Sequence, residues 1–145
     1  MGDPTVTLRP ADGLAYVETL LERNDLPTAD VRTAPAQFYV GLVDGDPVGV
    51  GGVERYGPDA LLRSVVVEER VRGGGVGAAL CDALEATARD AGVETLYLLT
   101  TTAAEFFAAR GYVRTDRDDV PDTVRGSPEF EALCPASAVP MRKPL

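Results

Sequence analysis

With 145 residues, 45% of them hydrophobic, the chain can build one domain around a real core, and residues 1–145 are read as that single domain. Its formal net charge of −9, with one lysine among fourteen basic residues, disfavours nonspecific contact with nucleic acid or an anionic membrane surface. No apolar run is long enough to cross a membrane, and the N-terminus lacks the basic-then-apolar order of a signal peptide, so the expected location is the cytoplasm.

Thr5 to Arg9 reads as a first strand. Pro10 and Asp12 prepare a helix N-terminus, and Leu14, Val17, Leu20 and Leu21 then recur on one face, which predicts an amphipathic helix over Asp12 to Asn24. Leu26 to Arg32 reads as a short helix or turn. Gln37 to Val43 and Val48 to Arg55 read as antiparallel strands joined at Asp44-Gly45-Asp46. The second of these strands carries Gly49, Gly51 and Gly52, which predicts a bend or a close backbone neighbour. Leu61 to Val67 is apolar enough to be a central strand. Val76 to Ala91 has a broad apolar helical face stopped by Gly92. Thr95 to Thr101 is a second buried strand, completing a strand-helix-strand unit with parallel strands. Ala103 to Arg110 is a short helix stopped by Gly111, and Tyr112 to Thr115 starts another strand. Asp116 to Ser127, with four aspartates, reads as a polar loop. Pro128 to Leu133 reads as a helical turn. Ser137 to Lys143 is the last strand, placed at an edge or broken because of Pro140. The expected fold class is α/β, one mixed central sheet flanked by helices.

The two cysteines are too few and too far apart for a disulfide framework. Cys81 falls on the apolar face of the Val76 helix and reads as a core thiol; Cys134 precedes Pro135 in a loop-like segment. The chain has no histidine, which removes a histidine base and any histidine-bearing zinc site, and no metal site is expected.

The segment Arg70-Val71-Arg72-Gly73-Gly74-Gly75-Val76-Gly77 links the central strand to the long helix. A helix N-terminus offers unpaired amides and the positive end of the backbone dipole, glycines allow close approach, and Arg72 adds a forked donor. Together they suit a phosphate. The plain alternative is a glycine-rich surface turn. The lysine phosphate loop is excluded, because, counted from Gly73, Ala78 and Ala79 stand where it needs its second Gly and its Lys. Gly73, Gly75 and Ala78 satisfy the dinucleotide pattern, but no acid closes the strand Thr95 to Thr101 where the ribose would need one.

Arg72, Gly75 and Gly77 instead fit [QR]-x-x-G-x-[GA], and here the chain resembles the GNAT superfamily, the GCN5-related N-acetyltransferases. Val67, Val71, Arg72, Gly73, Gly75 and Gly77 occupy the places of that family's strand-to-helix motif. Phe106-Phe107-Ala108-Ala109-Arg110-Gly111-Tyr112 resembles its helix-end motif. The second half further resembles small acetyltransferase-like proteins associated with arsenic-resistance gene clusters. Leu98-Leu99-Thr100-Thr101-Thr102-Ala103, Phe106-Phe107 and the run Glu129 to Ala138 carry that likeness.

The resemblance implies a GNAT-like acyl-CoA N-acyltransferase fold and acetyl-CoA as co-substrate. It implies that CoA lies where Leu61 to Val67 and Thr95 to Thr101 splay apart. Val65, Val66 and Val67 would hold the pantetheine arm through backbone groups. Arg72, Gly73, Gly74, Gly75, Val76 and Gly77 would hold the pyrophosphate, with Thr101 and Phe107 also at the cofactor. Glu54 is the leading candidate for the base, ahead of Glu68 and Glu69. Arg55, Arg63, Thr102, Cys134 and Ser137 are candidates for the acceptor side. One departure stands out. Phe107 replaces the tyrosine that in many resembling enzymes protonates the departing thiolate, and phenylalanine has no proton to give. The function implied is acetylation of a small amine-bearing acceptor, with an arsenic link by resemblance. A noncatalytic acyl-CoA-binding or sensing protein and an arsenical-binding accessory protein are the alternatives. Homodimers are common at this size and are carried as an expectation.

Overall fold

A computed structural model describes residues 5–26, 28, 31–32, 36–101, 103–127 and 138–145. Strands β1 (Thr7–Pro10), β2 (Ala36–Val43), β3 (Asp46–Tyr56) and β4 (Asp59–Val67) form an antiparallel meander. Helix α1 (Ala15–Arg23) lies between β1 and β2 in sequence. Helix α2 (Val76–Asp90) crosses over to β5 (Thr95–Thr100), which pairs parallel with β4. Helix α3 (Ala104–Ala109), the two-residue β6 (Val113–Arg114), the short α4 (Asp122–Arg125) and β7 (Val139–Pro144) complete the chain. The strand order is β1-β2-β3-β4-β5-β7-β6, so the sheet is mixed, with its single parallel pair near the middle.

Strand periodicity divides the apolar residues between two faces. Ala60, Leu62, Leu96 and Leu98 turn towards α2, where Leu80, Leu84 and Ala88 meet them. Phe38, Val50 and Val66 turn the other way, beneath Val17, Leu20 and Leu21 of α1. The glycines of β3 act through close approach. A Cβ on Gly51 would lie 2.5 Å from Leu84 Cδ1, and one on Gly49 would lie 2.6 Å from the Val66 carbonyl. A side chain at Gly51 would lift α2 off the sheet, and one at Gly49 would force β3 away from β4.

Two expectations are corrected. Asp116 to Ser127 is not simply a loop: it holds a 3-10 turn, Arg117–Asp119, and then α4. Its aspartates masked a pair of valines at i,i+4 spacing. Val120 and Val124 are buried against Leu61 and Tyr97. The last strand is neither at an edge nor broken at Pro140. Strand β7 runs between β5 and β6, and Pro140, near its start, pairs with Leu99 while its carbonyl accepts from the Thr115 amide. The edge belongs to β6. Pro128 to Leu133 lies outside the described residues, as do several residues of the segment Leu26 to Arg32. Among the described residues, no helix is long and apolar enough to cross a membrane.

Candidate active site

Strands β4 and β5 pair only over Asp59–Leu61 and Thr95–Tyr97. Beyond that they part, each keeping its outer neighbour: β4 stays on β3, and β5 stays on β7. The departure coincides with a bulge. Val50 faces Val66 and Gly52 faces Arg63, so Ser64 and Val65 together oppose Gly51. Ser64 takes φ = +56°, in the left-handed region that non-glycine residues seldom occupy. An extra residue in one strand bends it, and here the bend opens the sheet. The opening is a cleft of about 950 Å³. Val65, Val66 and Val67 form one wall, Leu98 to Thr101 the other, and the glycine segment lies at its end.

The glycine segment is shaped to receive an anion. Gly73 and Gly75 have φ of +86° and +85°, and Gly75 is the N-cap of α2. No side chain caps this helix, and no acid occupies its first turn. The first intrahelical bond runs from the Ala79 amide to the Gly75 carbonyl, so the amides before it have no helical partner. A Cβ on Gly73 would meet nothing within 4 Å, and one on Gly74 only the Val71 carbonyl at 3.7 Å. A side chain in that space would cover the amides. The open cradle fits the pyrophosphate of a CoA molecule, and the parted strands fit its pantetheine arm.

Arg72 is placed differently from a free phosphate donor. Its Nε donates to the Val67 carbonyl at 3.1 Å, and its Nη2 donates to Asn24 Oδ1 at 2.5 Å. It therefore bridges the end of β4 to the C-cap of α1. Asn24 in turn donates to the Leu20 carbonyl at 2.8 Å. Asn24, Asp25 and Leu26 line the cleft beside Arg72, a set that helix periodicity alone did not single out. Gly73, Gly75, Gly77, Thr101 and Phe107 also line the cleft. Gly74 is exposed but outside the lining, and the Val76 side chain is buried in the core, leaving only its amide for a ligand. Phe106, absent from the expected set, lies partly exposed at the cleft against Phe107, their ring centroids 5.1 Å apart.

The expected base and acceptor residues separate. Glu54 is fully buried and lies outside the cleft lining. Its Oε2 accepts from Arg63 Nη1 at 2.9 Å and its Oε1 accepts from the Tyr56 hydroxyl at 2.5 Å. A base needs direct or one-water reach to its proton. Glu54 instead serves as the counter-ion of Arg63, which corrects its reading as the base. Arg63 does reach the cleft, but its charge is matched by Glu54, so it is no free anchor for an anionic acceptor. Arg55, next along β3, points to the opposite side of the strand, is exposed and lies outside the cleft. Glu68 is engaged by the Tyr16 hydroxyl at 3.2 Å. Burial, and then the Glu68 charge, push the Tyr16 phenol up to about 12. Cys81 is both a core thiol and part of the cleft wall, and burial pushes its pKa up to about 12. Thr102, Cys134 and Ser137 lie outside the described residues. Among the described residues, no cluster could hold a metal ion.

A family model, the acetyltransferase (GNAT) family, matches residues 8–114. This chain belongs to the GNAT family. It has the mixed sheet and flanking helices expected of that family. Among solved structures, it is similar to N-acetylglutamate synthase from Neisseria gonorrhoeae complexed with coenzyme A and N-acetyl-glutamate. That match has a TM-score of 0.80 at 20% identity and covers 99% of this chain and 36% of the synthase. The GNAT chain thus spans about a third of that protein's length. It is also similar to Rv2747 from Mycobacterium tuberculosis, in complex with CoA and NLQ, with a TM-score of 0.77 at 23% identity over 96% of this chain and 99% of that one. A GNAT family acetyltransferase from Elizabethkingia anophelis with acetyl-CoA bound matches with a TM-score of 0.73 at 14% identity, over 97% and 99%. At these identities the likeness is one of fold. A search of curated proteins found no match.

Proposed function

We propose that this GNAT protein is an acetyl-CoA-dependent N-acetyltransferase acting on a small amine-bearing acceptor. The observation that carries the proposal is the parting of β4 and β5 beside an uncapped, glycine-led helix N-terminus. Bound acetyl-CoA supplies the acyl group as a thioester. Backbone groups of Val65, Val66 and Val67 hold the pantetheine arm. Amides from Gly73 to Gly77 hold the pyrophosphate, and each favourable contact with the helix dipole contributes ~0.3–1 kcal/mol. Arg72 fixes the end of β4 against α1 and stands beside the phosphates. Thr101 and Phe107 complete the cofactor wall. The acceptor enters at the bulge end of the cleft, near Arg63, and must arrive as a free amine to act as a nucleophile.

The acceptor class we propose is an amino acid. Two of the similar structures support it: the synthase was solved with N-acetyl-glutamate and Rv2747 with NLQ. Arg63 is matched by Glu54 and Arg72 stands at the phosphate end, so the acceptor carboxylate would be held by groups other than these two arginines. The arsenic link rests on the resemblance of Leu98 to Ala103 and of Glu129 to Ala138, and makes an arsenic-containing amino acid one member of that class. The noncatalytic reading draws on Phe107, whose ring lies in the cleft wall with no proton to give.

Calorimetric titration of acetyl-CoA into the natural chain and into Arg72→Ala tests the cofactor. Binding that weakens by about tenfold in the variant is expected, since a charge-assisted contact is worth roughly 1.5–3 kcal/mol. No binding at any salt concentration would end the acetyltransferase proposal. Release of free CoA across an amine panel containing glutamate, glutamine and arsenic-bearing amino acids then tests the acceptor. Binding without turnover on any amine would favour the noncatalytic reading.

A further inference from the structure

A buried polar chain runs from the core to the cleft wall. The Tyr56 hydroxyl and Arg63 Nη1 both donate to Glu54, and Arg63 Nε donates to Ser64 Oγ at 3.1 Å. The Glu54 and Arg63 side chains are 0% exposed, so the pair lies in a low-dielectric setting where hydrogen bonds strengthen one another. A serine hydroxyl carries one donor and two acceptor sites, and a guanidinium only donates. With Arg63 donating to its oxygen, Ser64 must direct its own O–H elsewhere, and its open side is the cleft. The donating guanidinium polarises that O–H and makes it a stronger donor. The backbone contributes as well. Ser64 is held at φ = +56° in the bulge where β4 leaves β5, an unfavourable conformation for serine.

We propose that Ser64 is the hydrogen-bond donor to the departing CoA sulfur, aimed by Arg63 and its counter-ion Glu54, in place of the hydroxyl that Phe107 lacks. The inference rests on the cofactor reading above. In the transfer, the acceptor nitrogen bonds to the thioester carbon and the carbon–sulfur bond breaks with its electron pair on sulfur. The proton lost by the amine balances the proton finally gained by the thiolate. Ser64 stabilises the charge on sulfur and is unchanged at the end. Arg63 and Glu54 act through Ser64 and are positioning residues. Thr100 and Thr101 carry the competing hydroxyls in the cleft wall. The Thr100 Oγ1 accepts from a neutral backbone amide, that of Ala103 at 3.0 Å, and among the described residues no cation is seen bonded to either hydroxyl.

The test is binding, not turnover. Affinities of CoA and of desulfo-CoA, which lacks the sulfur, are measured by calorimetry between pH 7 and 9.5. Their ratio isolates the thiol. Cys81 shares the cleft, but its thiol, raised to about 12, stays protonated throughout. In the natural chain the CoA preference should rise by roughly fivefold towards pH 9.5 as the CoA thiol begins to titrate, because a donor that stabilises the thiolate lowers its pKa. Ser64→Gly should flatten that rise. Glycine suits the bulge conformation, so this variant should unfold at the same temperature or higher. Thr100→Val should keep the rise. CoA binding with the same pH-dependent ratio in Ser64→Gly would overturn the inference alone, as would loss of the rise in Thr100→Val. No CoA binding by the natural chain would overturn the cofactor reading and this inference with it.

Discussion

Two buried glutamates in this GNAT protein hold nearly the same company and do different work. Glu54 accepts from Arg63 at 2.9 Å and from the Tyr56 hydroxyl at 2.5 Å. Glu85, on α2, accepts from Lys143 Nζ at 2.6 Å and from the Tyr112 hydroxyl at 3.1 Å. Each is a carboxylate between a cation and a phenol. The difference lies in the cation and the address. Lys143, the only lysine in the chain, is a point charge whose bond to Glu85 ties β7 to α2, and its ammonium also sits 5.5 Å from the Tyr112 ring. Arg63 carries a rigid fork, and while its Nη1 donates to Glu54 its Nε donates to Ser64 at the cleft wall. The Glu85 cluster fastens the C-terminal strand; the Glu54 cluster passes polarity from the core to the site.

The largest expected effect breaks the inner cluster. Arg63→Met leaves Glu54 buried with no cation, which typically costs about 3–5 kcal/mol. Denaturant unfolding should register that loss. If the variant remains folded, transfer should fall even where acetyl-CoA still binds, because Ser64 loses its polarising donor. A variant as stable as the natural chain would mean that Glu54 is not held as a charge. That result would remove the physical basis for the cluster.

Which of these two clusters could be foreseen from sequence is instructive. The geometry of the glycine segment was legible because it is local: Arg72 to Gly77 and the helix they open are contiguous. The strands, the long helix and the cleft between Leu61 to Val67 and Thr95 to Thr101 followed from periodicity and from the family resemblance. The Glu54–Arg63 pair was not legible as a pair. Its members lie nine residues apart on strands whose register contains a bulge, and only the observed register brings them together. Glu54 looked like a base because it ends a strand near the site; alternation along β3 turns it inward and turns Arg55 out. The Glu85–Lys143 bond spans 58 residues and had no local signature at all. Asn24 was hidden for a similar reason, since its partner Arg72 is 48 residues away.

The second effect belongs to the outer cluster. One turn before Glu85, Cys81 has its thiol raised to about 12 by burial first and by the Glu85 charge second. Burial, and then Glu85, raise the Tyr112 phenol as well. An unfolded thiol titrates near ~8.5, so above that pH the unfolded chain releases a proton that the folded chain keeps. The stability linked to Cys81 is intact below about pH 8.5 and is lost as pH rises towards about 12, at about 1.4 kcal/mol per pH unit. Unfolding measured from pH 7 to 11 should show that decline, and Cys81→Ala should shallow it. A slope unchanged by the substitution would place the alkaline weakness elsewhere.

Lys143→Met should cost less than Arg63→Met, about 1–3 kcal/mol, since Lys143 is 21% exposed and its partner keeps some access to solvent. Its sharper content is kinetic. The Glu85 cluster has no link to the cleft through Ser64, so kcat/KM should stay within about twofold of the natural value, a change worth only ~0.4 kcal/mol. A large loss of turnover in a well-folded Lys143→Met chain would erase the functional distinction between the clusters.

The smallest effects come from the two phenols. Tyr56→Phe and Tyr112→Phe each remove one hydrogen bond to a carboxylate that retains its cation, and each should cost about 1 kcal/mol. On stability the two changes should look alike. On transfer they should not. Without the Tyr56 hydroxyl, Glu54 keeps Arg63 as its partner but loses a constraint on its own orientation, and through Arg63 that slack reaches Ser64. Tyr56→Phe should therefore lower kcat by roughly two- to threefold with KM for acetyl-CoA unchanged, whereas Tyr112→Phe should leave both alone. Equal kinetic effects from the two would mean that neither phenol reports on the site. An effect from Tyr112 alone would reverse the assignment of the clusters, because Tyr112 meets the cleft wall only indirectly, through the edge-on ring of Phe107, 5.4 Å away, and through Glu85 and its neighbour Cys81.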